Sequence, residues 1–107
     1  MSTEQPTEKE LLKTVLEPLL EDFQYWFERS HSLLKSEQMP FLSAEGQAQL
    51  LARIIQSQKE VKTAQVLFKA VEGEVGIDSK MLLPWHQLVA ECWSIAQKWR
   101  ESNNNNS

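Results

Sequence analysis

His31, His86 and Cys92 are the residues of this chain best suited to chemistry, because imidazole and thiolate are the common bases, nucleophiles and zinc ligands. A structural zinc site needs four closely spaced ligands from Cys, His or carboxylate. His86 and Cys92 do not stand at the three- or four-residue step that stacks two ligands on one side of a helix. A nucleophilic pair of Cys92 with His31 or His86 would also need an oxyanion site, and no strained turn or glycine-rich loop marks one. Glu17, Glu21, Asp22 and Glu28 alternate with apolar residues, as the solvated outer face of a helix requires, which leaves no reason for an acid-base pair. Gly73 and Gly76 lack both the preceding strand and the helix-opening Lys-Ser or Lys-Thr of a phosphate loop, and read as turn residues. The expectation is a non-enzyme with no metal and no cofactor.

The elements that would position these side chains follow from size and pattern. A chain of 107 residues makes one domain with a single core. Its net charge of -4 argues against nucleic acid as a partner, because phosphate binding calls for a basic surface. Cys92 is the single cysteine, forms no internal disulfide, and fits a reducing compartment such as the cytoplasm. The start, Met1 to Glu8, is polar and acidic, unlike a secretory signal. No apolar run approaches the roughly 20 residues that span a bilayer, so no transmembrane segment is expected.

Leu12, Leu16, Leu19, Phe23, Trp26 and Leu33 step by fours and threes, with Ser30 at the one polar step, and this is a helix period. With Val15, Leu20, Phe27 and Leu34 they fill an arc of roughly 140°, wide enough to touch two neighbours. Thr7 with Glu10 has the capping-box spacing, so a first helix is predicted over 7–36 after a disordered tail at 1–6. Met39-Pro40 lies in the connection, and Ser43 caps a second helix over 44–72 with Leu50, Ile54, Val61, Ala64, Phe68 and Val71 on its stripe. Gln58 and Gln65 fall within that stripe and need either the rim or a hydrogen-bond partner that would fix helix register. Gly73 suits a left-handed C-cap, and Asp78 or Ser79 opens a third helix over 79–101, carrying Met81, Trp85, Leu88, Cys92, Ile95 and Trp99. A disordered polar tail is expected over 103–107. The pattern predicts an all-α, antiparallel up-down-up three-helix bundle, with kinks near Pro18 and Pro84.

The stretch Glu17-Pro18-Leu19-Leu20-Glu21-Asp22-Phe23-Gln24-Tyr25-Trp26-Phe27-Glu28-Arg29-Ser30 resembles a small cyanobacterial family of unknown function, as does Leu83-Pro84-Trp85-His86-Gln87-Leu88-Val89 followed by Glu91-Cys92-Trp93. The resemblance covers Glu10 to about Arg100. It implies a photosynthetic bacterium, with the protein in the cytoplasm or peripherally at the thylakoid, and it supplies no catalytic residues.

Aromatic side chains carry the remaining information. Trp85, Trp93 and Trp99 lie within roughly 120° of one another on the third helix, whose apolar arc of about 160° exceeds what two neighbours cover. Tyr25 points away from the first core arc, Val66 and Leu67 lie outside the main stripe of the second helix, and Ile55 belongs to a weaker second row with Leu51 and Val66. Surplus apolar and aromatic surface of this kind concentrates binding energy at interfaces. The expectation is a protein-interaction module that binds a protein partner or a second copy of itself through Tyr25, Trp85, His86, Val66, Leu67 and Ile55. The alternative is a helical pocket between the first and third helices holding an apolar small molecule or pigment oriented by His86.

Overall fold

The computed structural model describes residues 8–70 and 79–105. These form α1 (Glu8–Ser36), α2 (Ala44–Ala70) and α3 (Ser79–Asn105), and no strand occurs among them. Thr7, the tail at 1–6, the end of the predicted second helix at Val71 and Glu72, and the Gly73–Asp78 cap region lie outside the described residues. Pro18 and Pro84 each sit inside a continuous helix. Both are exposed, so the missing amide hydrogen falls on the solvent side, where its loss disturbs packing least. α3 runs past its expected end to Asn105, which corrects the reading of Asn103 to Asn105 as part of a disordered tail. Extending an existing helix needs no new nucleus, and no glycine or proline follows Arg100 to stop it.

Packing follows the periodic residues. α1 contributes Leu16, Leu20, Phe23, Phe27 and Leu34 to the core, α2 contributes Leu50, Ile54, Val61 and Phe68, and α3 contributes Trp85, Leu88, Val89 and Cys92. Phe23 stacks on Phe27 with ring centroids 6.3 Å apart and meets the edge of Trp85 at 6.0 Å. Val15 departs from the expected arc and is exposed, because it lies at the margin where neither neighbour reaches. α1 packs along both other helices, whereas α2 and α3 reach each other mainly through long side chains. One such bridge is Arg53 to Glu91, with paired contacts of 3.1 and 2.7 Å, and another is the Trp85 indole N–H donating to Glu60 at 3.1 Å. The pairings of Phe23 with Trp85 and Trp26 with Trp93 advance together along the chain, so α1 and α3 run parallel, with α2 antiparallel to both.

Polar groups fix this register. Ser43 caps α2, its hydroxyl accepting from the Gly46 amide at 2.9 Å, as its position before Ala44 predicts. Gln47, only 6 % exposed, then reaches back across the connection. Its Nε2 donates to the carbonyls of Leu34 (2.8 Å) and Glu37 (2.7 Å), and its Oε1 accepts from the Met39 amide (2.8 Å). One side chain thereby satisfies carbonyls at the end of α1 and holds fully buried Met39 in place. Gln24 donates to the Gln58 backbone carbonyl at 3.1 Å and to the Gln65 side-chain oxygen at 3.4 Å, so of the two polar positions in the α2 stripe Gln65 meets a side-chain partner across the α1–α2 seam.

Candidate functional site

The site begins with residues that helix geometry forces outward. Tyr25 and Arg29 are one turn apart on α1, and the guanidinium donates to the Tyr25 hydroxyl at 2.7 Å while lying 5.5 Å from that ring and 5.9 Å from the Trp26 ring. Trp26, half-buried, meets Tyr25 edge-on at 5.3 Å and Trp93 of α3 at 5.8 Å. Trp93 in turn meets His86 at 6.5 Å. The result is a continuous aromatic ladder, Tyr25–Trp26–Trp93–His86, laid across the two parallel helices. Tyr25 is 52 % exposed and His86 is exposed, so both ends are open to solvent, and the inner Trp93 is itself 45 % exposed.

Beside the ladder lies a groove of about 350 Å³ lined by Trp26, Arg29, Ser30, Leu33, Ala96, Trp99 and Arg100. A second hollow of about 250 Å³ continues it along Trp93 and Gln97. The lining of the larger groove combines the small side chains of Ser30 and Ala96 with the apolar Leu33 and Trp99. Neither Arg29 nor Arg100 has a carboxylate partner among the described residues. No carboxylate lines either hollow.

Cys92 lies 2 % exposed beneath this surface, as the apolar reading of its position predicts. Burial pushes its thiol upward, against the opposing pull of a hydrogen bond with Ser30. A thiolate is therefore disfavoured there, and the charged groups acting on the sulfur are Glu91 and Arg53, with no histidine among them. His86 is exposed at the end of the ladder and His31 half-buried. Among the described residues no group of His, Cys, Asp and Glu is arranged to hold a metal ion.

The sequence-predicted binding residues separate on this framework. Tyr25 and His86 are brought into one ladder. Trp85 is corrected: at 2 % exposure it is core, wedged against Phe23 with its N–H turned to Glu60, because its angle on α3 points between α1 and α2. Ile55 is half-buried in a separate α1–α2 hollow with Gln24, Lys59 and Lys62. Val66 and Leu67 are exposed on α2, which contributes no lining to the groove. Of the expected second row of α2, Leu51 packs against the core, Ile55 is half-buried and Val66 is exposed. Trp93, Trp26, Arg29 and Arg100 were not singled out by pattern as site residues. The signal for Trp93 was available in the surplus width of the α3 apolar arc.

A family model described as "Protein of unknown function (DUF2605)" matches residues 6–101. No curated protein and no solved structure matches the chain. No helix among the described residues is long and apolar enough to cross a membrane.

Proposed function

Since the chain belongs to the DUF2605 family of proteins of unknown function, its role is read from its own surface, and we propose that it is a non-enzymatic protein-interaction module. It acts as an adaptor or assembly factor that docks through the α1–α3 face. The observation that carries this reading is the half-exposed aromatic ladder: Tyr25 and Trp93, joined through Trp26, form one connected patch beside an apolar groove. Scattered single apolar residues need no explanation, but contiguous aromatic surface with arginine beside it has the composition of an interface core. The cellular setting implied by the resemblance is the cytoplasm of a cyanobacterium, with peripheral thylakoid association as a variant of the same role.

The test is affinity capture from the native host with the wild type beside Trp93→Ala and Tyr25→Ala, and solution mass over a range of concentrations. Both variants should keep the wild-type helical content while losing the partner, or losing the dimer if the partner is a second copy. A monomer at every concentration whose captured proteins are the same with and without Trp93 would overturn the reading.

A second reading draws on the groove of about 350 Å³ between Trp26, Leu33 and Trp99, which lies where a site for an apolar small molecule or pigment is expected between the first and third helices. A bound chromophore would announce itself in the absorbance of protein purified from the host. A colourless preparation with no extractable ligand would rule it out.

A further inference from the structure

Resting on the interaction reading, we infer that the occupant of the α1–α3 groove is an acidic amphipathic helix of a protein partner, whose apolar stripe lies along the tryptophans and whose carboxylates pair with Arg29 and Arg100. Charge identifies it. The chain as a whole carries -4, yet the groove walls hold guanidiniums and no carboxylate, and neither guanidinium is neutralised within the described structure. An arginine already ordered by stacking on aromatic rings, as Arg29 is on Tyr25 and Trp26, loses little further freedom when it pairs with an arriving carboxylate. A partner of the chain's own average character but opposite local sign meets this surface, whereas a basic segment is repelled by it.

Shape sets the partner's conformation. Two parallel helices leave a groove that accepts a third helix lying along it, the recognition mode in which anchors repeat at three- and four-residue steps. From His86 to Arg100, α3 advances about 20 Å at 1.5 Å per residue, the length of a partner helix of roughly four turns. Arg29 and Arg100 differ in height by about 6 Å when Trp26 is aligned with Trp93, which matches carboxylates about one turn apart on the partner.

Peptide display against the folded full chain tests this directly, with a random library as the probe and the selected sequences then synthesised and titrated by tryptophan fluorescence. The expected result is enrichment of peptides with apolar residues at helical spacing and Asp or Glu beside them. Their affinity should fall at least tenfold with Arg29→Gln combined with Arg100→Gln, and should fall with added salt for the wild type but far less for that double variant. Both arginines are exposed, so circular dichroism should show both proteins equally folded.

Peptides that bind through Trp93 but are neutral or basic, or acidic peptides indifferent to the arginine changes, would overturn the acidic partner and leave the interaction reading standing. A concentration-dependent dimer abolished by Trp93→Ala would assign the groove to a second copy and likewise overturn it. A library yielding nothing that depends on Trp93, from a protein that stays monomeric, would remove both.

Discussion

Replacing Gln47 should unlatch the α1–α2 connection, and its magnitude follows from the bonds it makes. The amide group forms three hydrogen bonds of 2.7 to 2.8 Å to Leu34, Glu37 and Met39. At about 0.5–1.5 kcal/mol net for each, Gln47→Ala loses roughly 2–4 kcal/mol. A separate count agrees. Glu37 is exposed and its carbonyl recovers water, but Leu34 and Met39 are buried and their backbone groups do not. Two stranded polar groups at about 1–3 kcal/mol each give about 2–6 kcal/mol, a range that contains the first. For a domain of this size that is a fall in Tm of about 10–25 °C. In urea the midpoint should drop by about 1–2 M at unchanged slope.

Gln47→Leu separates polarity from packing, since it keeps the volume and removes only the bonds, and it should fall in the same range. Gln47→Glu adds a pH signature. A carboxylate facing the Leu34 and Glu37 carbonyls is disfavoured, so its folded pKa lies above the unfolded value of about 4.3. The folded state then binds the extra proton, and this variant gains stability as pH falls through the folded pKa and loses it as pH rises. Exposed Gln49, whose side chain reaches only Glu45 at 3.5 Å, is the control, and Gln49→Ala should be nearly silent. A loss below about 0.5 kcal/mol for Gln47→Ala would refute the reasoning.

Other outcomes follow from the same structure. Trp85→Ala removes a buried ring and should destabilise by about 3–5 kcal/mol in urea unfolding, whereas Trp93→Ala, on the same helix but half exposed, should change stability by less than about 1 kcal/mol. Arg53→Ala breaks a bridge whose side chains are 55 % and 48 % exposed, and should lower stability by less than about 1 kcal/mol, with a smaller difference in high salt. Cys92 has its folded pKa raised above the ordinary 9.0, so the stability it contributes is complete below that pH and lost as pH rises through the folded value. A Cys92→Ala variant should flatten that alkaline fall in denaturation midpoints. In native protein the thiol should react with an alkylating reagent far more slowly than in unfolded chain.

Much of the fold is legible in residue order because the helix period is a property of the backbone. Leu16, Phe23, Ile54, Val61, Leu88 and Cys92 are all buried where the four-three step places them, and Ser43 caps where a short polar side chain precedes the second stripe. The connection was less legible. Gln47 is a polar residue near a helix start, and nothing in its local pattern says that its amide turns inward; only the path of the chain through Met39 brings three backbone groups to it. The same holds for Gln65, whose partner Gln24 becomes visible only when α1 and α2 are set side by side.

Which tryptophan of α3 stays open to solvent is not legible in the sequence, for a reason that angles alone do not contain. A helical wheel ranks Trp85 and Trp93 by apolarity on the same broad arc, yet one is sealed in the core and the other opens the ladder, because α1 covers only part of α3 and α2 meets α3 through side chains rather than along its length. Coverage depends on which neighbours a helix has on each side. With three helices, the central α1 receives two of them, and the seam between α1 and α3 has an outer side that no fourth element closes among the described residues. That outer side collects the aromatic residues that exceed the core's capacity, together with arginines that need somewhere polar to point. A three-helix chain with apolar arcs this wide thus keeps an open groove as a geometric remainder, and its character is decided by the few polar side chains standing along the rim.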